Sequence, residues 1–220
     1  MQTTTHTSPQ FDRWRLASGL NAVVAAVALV IKFGDAMTTK DPQFPTVFGR
    51  FANELCYFTI QSNIIVLVVS AALALGPGRW SWMSGTPRLV GLVCITVTAV
   101  VYYAVLATDQ HYVGIAKVGD VLAHAVSPVL FVGTWLLGRR GRFARHHVVE
   151  MLVYPVFWIA LTLVRGAVIH IYPYDFVDVM ANGYASVTAT IVGLTAVAAA
   201  LAMAAVRVDQ RKPMSYSTVP

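Results

Sequence analysis

Six stretches of roughly twenty apolar residues recur along this chain, and a helix of about that length is what crosses the hydrocarbon core of a bilayer. They run over Leu16–Phe33, Leu55–Leu75, Leu89–Ala107, Val118–Leu137, Val148–Ile169 and Tyr184–Val206, each bounded by charges or by Gly and Pro. The spacing predicts an all-α integral membrane protein, a six-transmembrane-helix bundle over residues 16–206, with polar tails at 1–15 and 207–220. Nothing remains for a soluble domain. A soluble fold is also excluded by surface chemistry, because only 12% of the residues are charged, about half the usual share. Cys56 and Cys94 both fall inside apolar runs, where a thiol acts as a small hydrophobe and carries no redox signal. Met1–Gln10 is polar and Thr-rich, without a basic start and cleavage site, so the first span is expected to be retained.

The formal net charge of +6 does not point to nucleic acid, because the basic residues sit between the apolar runs, where they set orientation. Arg13, Arg15, Arg79, Arg88, Arg139, Arg140, Arg142, Arg145, Arg207, Arg211 and Lys212 fall on one side of the six spans. Lys32, Lys40, Arg50, Lys117 and Arg165 fall on the other. The bias predicts both termini in the cytoplasm and a multi-pass protein of a bacterial inner membrane. Trp80, Trp82 and Trp135 are then expected at the cytoplasmic boundary. The basic run from Gly138 to His147 could touch anionic headgroups, but topology accounts for its charge.

Ionisable and polar side chains inside spans are costly and mark function by default. Here they gather near one boundary. Span two opens Cys56-Tyr57-Phe58-Thr59-Ile60-Gln61-Ser62-Asn63, with Thr59 and Asn63 four apart on one helix face. Span four carries Asp120 and His124, likewise four apart, so the carboxylate can orient the imidazole, and Pro128 one turn further invites a kink. Span five delivers Arg165 to the same boundary, before His170 and the loop Tyr172-Pro173-Tyr174-Asp175-Phe176. At 1.5 Å rise per residue, Thr59 and His124 are each expected roughly 6 to 10 Å inside the outer boundary, at a level where they can meet. Each residue also has an ordinary reading: a Thr bonds back to its own helix, and an Arg snorkels to the interface.

His111, His146 and His147 read as solvated loop residues and His6 as part of the tail. No His-x-x-x-His or Cys-x-x-Cys occurs, and there is no glycine-rich phosphate loop, so no metal or other cofactor is expected.

The set Tyr57–Asn63, Asp120 with His124 and Pro128, Tyr154-Pro155, Arg165-Gly166, and Tyr172–Phe176 before Gly183-Tyr184 resembles the bacterial predicted six-transmembrane-protein family. The resemblance covers about Arg13 to Arg207. That family is similar in turn to the eukaryotic androgen-induced membrane proteins, threonine hydrolases that cleave fatty acid esters of hydroxy fatty acids. The resemblance implies Thr59 as nucleophile and His124 as its base. The chemistry agrees, since a Thr hydroxyl is a weak nucleophile until an imidazole takes its proton. Asp120 would be the orienting third group, and Asn63, Gln61 or Arg165 would stabilise the oxyanion of a lipid ester. Partners would be the bilayer and its lipids. The alternative from a different class is a non-catalytic membrane protein, a small-molecule transporter or lipid-binding scaffold using the same cluster. The two halves show no evident repeat of the kind common in transporters.

Overall fold

The computed structural model describes residues 9–76, 81–138 and 142–211; Arg79, Trp80, Arg139, Arg140, Lys212, His6 and most of both tails lie outside the described residues. Within them the chain is helical and contains no strand. The α-helices are α1 (Pro9–Thr38), α2 (Val47–Glu54), α3 (Phe58–Leu75), α4 (Thr86–Val101), α5 (Gly114–Val121), α6 (Ser127–Leu137), α7 (His146–Ile169) and α8 (Val179–Gln210). A wide π turn, Tyr102–Leu106, extends α4, and a second, Leu122–Val126, joins α5 and α6 into one rod. Six rods are long and apolar enough to cross a membrane. The protein is a multi-pass helical membrane protein.

Contacts at the rod ends give the bundle its direction. Arg15 Nε, near the start of α1, donates to the carbonyl of Ala74 at the end of α3, 2.9 Å away. Trp135 at the end of α6 and Phe143 just before α7 both meet Asp209 at the end of α8. The described chain therefore begins and ends on one face, here the terminal face. The opposite face carries α2 and the loops before α5 and α8. There Arg50 of α2 caps α1, with Nε on the Ala36 carbonyl and Nη2 on the Met37 carbonyl, each at 2.9 Å. A guanidinium suits that position because the last carbonyls of a helix have no partner in their own ladder and carry the negative end of its dipole.

Packing differs between the two halves. Toward the terminal face Val66, Val69, Leu89, Ile95, Met151 and Ala202 form a close-packed core. Hydrogen bonds between Asn21 and Ser70 (3.2 Å) and between Thr98 and Ser62 (3.1 Å) tie α1 to α3 and α4 to α3, as polar side chains do between helices in lipid. Val30, Val129 and Val168 point outward and are at least 70% exposed, which suits contact with acyl chains and not with water.

Several boundaries differ from the sequence expectation. The separator before span two contains a helix of its own, α2, N-capped by Thr46 Oγ1 accepting from Gly49 N–H. Leu55–Tyr57 belong to the turn that leaves α2, so α3 starts at Phe58 and Thr59 is its second residue, not one set deep in a span. Span four instead starts earlier, at Gly114, which puts His124 ten residues in. The two levels still coincide because α3 begins below the rim: Trp158 Nε1, eleven residues before the end of α7, donates to the Cys56 carbonyl at 3.0 Å. The sixth span starts at Val179, capped by Asp178, with a break at Gly183 whose φ of 74° favours glycine. Trp135 is buried rather than lipid-facing, whereas Trp82 is exposed.

Candidate active site

Thr59 Oγ1 lies 3.2 Å from His124 Nε2. On the other side of the ring, His124 Nδ1 lies 3.0 Å from Asp120 Oδ1. With the proton on Nδ1, where the carboxylate holds it, Nε2 presents its lone pair to the threonine hydroxyl. The second carboxylate oxygen, Asp120 Oδ2, accepts from Tyr102 Oη at 2.8 Å and from Lys117 Nζ at 2.9 Å. Tyr102 also stacks on His124, with centroids 3.7 Å apart and planes 11° from parallel. The imidazole is thus fixed in its plane by the carboxylate and across it by the phenol.

Both π turns hold a member of this network, Tyr102 in one and His124 in the other. Such turns are often found at functional sites. In the second, the cause is local. Ser127 N–H reaches five residues back to Leu122, and Pro128 has no N–H to offer. The Ala123 carbonyl is thereby freed and accepts from Asn63 Nδ2 at 3.3 Å. The same amide group donates to the Thr59 carbonyl at 2.9 Å. Pro128 therefore widens the helix instead of kinking it sharply, and Asn63 locks the nucleophile-bearing helix to the histidine-bearing one.

Thr59 also stands in the wall of a largely apolar cleft enclosing about 740 Å³ including its mouth. Phe58 and Thr59 form its upper edge. Val97, Thr98 and Val101 of α4, Pro155, Trp158 and Ile159 of α7, and Ile191, Leu194, Thr195 and Ala198 of α8 form the sides. Tyr174, Phe176 and Val177 from the α7–α8 loop close over it. Neither His124 nor Asp120 belongs to the wall, so Thr59 stands between the base and the cleft. The Thr59 N–H donates to Tyr174 Oη at 3.4 Å. Burial pushes the Tyr174 phenol up to about 12, against hydrogen bonds from Thr59 that favour its anion. It therefore stays protonated at neutral pH and keeps a hydroxyl proton to donate.

The other residues singled out from sequence are engaged elsewhere. Gln61 Nε2 donates to the Leu55 carbonyl at 2.8 Å, and its Oε1 accepts from Tyr154 Oη at 2.7 Å. Arg165 Nη2 donates to Asn53 Oδ1 at 2.6 Å, and Nη1 to the Ile171 carbonyl at 3.3 Å. Both fasten the loops of the opposite face and neither lines the cleft. Lys117 offered a signal in sequence, a cation three residues before Asp120, while Tyr102 and Tyr174 gave none beyond being aromatic near span ends.

His146 and His147 are the first two residues of α7 and not loop residues. With Glu150 they bring one potential metal-ligand atom each within 4.8 Å of one another. Their atoms have other partners: His147 Nδ1 accepts from Ala144 N–H at 3.0 Å, and Glu150 Oε2 accepts from Thr86 Oγ1. A neutral His147 whose Nδ1 accepts keeps its proton on Nε2, the atom that would otherwise ligate.

No family model, characterised protein or solved structure matches the chain.

Proposed function

We propose that this protein is an intramembrane threonine hydrolase of lipid esters, with Thr59 as nucleophile, His124 as general base and Asp120 as the group that orients it. The observation that carries this reading is the unbroken chain Asp120–His124–Thr59, ending on the wall of an apolar cleft. The resemblance of these motifs to the bacterial six-transmembrane-protein family, similar in turn to the androgen-induced membrane proteins, implies the same substrate class, esters of fatty acids. A predominance of basic residues on the terminal face supports placing that face in the cytoplasm of a bacterial inner membrane, with the site toward the outer leaflet.

In the first half-reaction Thr59 Oγ1 transfers its proton to His124 Nε2 and attacks the ester carbonyl carbon. Charge develops on the carbonyl oxygen. The donor near that position is Tyr174 Oη, which itself accepts from the Thr59 N–H at the start of α3, the positive end of the helix dipole. Collapse breaks the bond to the alcohol, which leaves with the proton from His124, and the acyl group stays on Thr59. Water then gives a proton to the same imidazole, attacks the acyl carbon and releases the fatty acid, restoring the Thr59 hydroxyl. Asp120 keeps its charge throughout and stabilises the imidazolium that forms in each half.

Labelling of the detergent-solubilised protein by a fluorophosphonate probe tests the reading. Wild type is expected to label, and Thr59→Ala and His124→Ala to lose labelling while eluting as folded protein. Folded wild type that does not label would reassign the cleft to lipid binding or transport.

A further inference from the structure

The cleft beside Thr59 is blind. On α4 its wall runs from Leu106 to Val97, and the next residues inward, Val93 and Cys94, are no more than 2% exposed. On α7 it stops at Pro155, one turn before the fully buried Met151, and on α8 it stops at Ala198, one turn before the fully buried Ala202. Three helices thus close the cleft at one level. Thr98 of α4 bonds Ser62 of α3, so Thr59, three residues before Ser62, lies about level with Val101. From there to Val97 is four residues, ~6 Å along the axis, which leaves room below the nucleophile for a short acyl chain only.

We infer that the cleft measures the acyl chain of the substrate, selecting short unbranched chains, with Ala198 and Val97 as the residues that set the limit. The inference rests on the hydrolase reading for its substrate, and on the walls alone for the length. Ala198 is the smallest side chain at the floor. A larger one there fills the last part of the cleft without touching Thr59 or His124. Val97 works in the other direction, since trimming it deepens the floor. The rings of Phe58, Trp158 and Tyr174 also line the cleft, packed edge to face or tilted, with Phe58 and Trp158 at 5.0 Å and Trp158 and Tyr174 at 6.1 Å.

The test uses the full chain in detergent with p-nitrophenyl esters of two to sixteen carbons. Wild type is expected to turn over esters at the short end of the series fastest. Ala198→Leu should move the optimum shorter still and lower kcat/KM for the ester that wild type prefers about 10-fold. Val97→Ala should move the optimum longer, and Val197→Leu, on the exposed side of α8, should leave it in place. An unchanged optimum in both floor variants, with Thr59-dependent turnover intact, overturns the inference and leaves the hydrolase standing. Native mass spectrometry of Thr59→Ala with free fatty acids of the same lengths reads the cleft without catalysis. Retention that peaks at the short end of the series and shifts with Ala198→Leu upholds the inference even where wild type hydrolyses no ester. Retention independent of length, or insensitive to Ala198→Leu, overturns it.

Discussion

Asp120 and Asp209 are equally buried, each 1% exposed, and lie at opposite ends of the bundle. Among the described residues, each accepts three hydrogen bonds from others. Asp209 takes them from Trp135 Nε1 at 3.1 Å and from the main-chain amides of Arg142 and Phe143 at 2.7 and 2.9 Å. Those donors neither titrate nor move, and they pin the start of α7 to the ends of α6 and α8. Asp120 takes them from a phenol, an ammonium and an imidazole. One of these, His124, passes the interaction on to a hydroxyl on a cleft wall. A buried charge in a membrane protein is therefore no sign of function by itself; what separates the two is whether its partners can carry a proton and where their chain ends.

The sharpest way to break this contrast is to neutralise each carboxylate in turn. Asp120→Asn keeps the shape of the side chain but lets its amide donate to Nδ1, moving the imidazole proton to the nitrogen that faces Thr59. Ester turnover, measured as kcat, should fall about 10³- to 10⁴-fold, as when a triad acid elsewhere loses its charge. Asp209→Asn should leave turnover per folded molecule unchanged. Equal losses in the two variants would collapse the distinction.

Removal of the side chain gives the reverse contrast in stability. Asp209→Ala leaves two amides and an indole N–H buried without an acceptor, which should cost about 3 kcal/mol. Urea or thermal unfolding followed by tryptophan fluorescence should show a clearly lowered midpoint. A midpoint equal to that of wild type would mean that the knot around Asp209 contributes nothing.

A smaller effect comes from Tyr102, which the comparison treats as part of the Asp120 network. Tyr102→Phe keeps the ring stacked on His124 and removes only the hydroxyl that donates to Asp120 Oδ2. Loss of one hydrogen bond to a charged group should lower kcat about 10-fold. Tyr102→Leu, which also removes the stacking face, should fall further, and a Tyr102→Phe variant at full activity would reduce the phenol to packing.

What could be read from sequence follows the same division. The six spans were legible because the bilayer sets their length, and Asp120 with His124 because a four-residue spacing on a helix makes contact almost regardless of surroundings. Whether Thr59 meets His124 depends on the rotation and depth of α3 relative to α5 and α6. That depth is set by α2 and the turn Leu55–Tyr57, which no periodicity announced. The π turns were hidden for a related reason, since Pro128 signals a missing donor but not whether the helix answers by bending or by widening. Tyr102 and Tyr174 come to the site from elements distant in sequence. The engagement of Gln61 and Arg165 likewise depends on the loops they fasten.

The smallest effect concerns a third acid, Glu54, at the end of α2 on the opposite face. Burial raises its pKa from the ordinary 4.5 to about 7, with Lys32 opposing the rise and Asp35 adding to it. A carboxyl raised in the folded state binds more protons than the unfolded chain between those values, so stability falls as pH rises across that window. The favourable contribution is complete below about 4.5 and is lost by the time pH has passed about 7. Glu54 should therefore favour the fold when protonated. Glu54→Gln cannot ionise, and its unfolding midpoint should decline less than that of wild type between pH 5 and 8, with the two curves closest at the acid end. Parallel curves would show that Lys32 already compensates the charge, and would mean that Glu54 is not a titrating rim group.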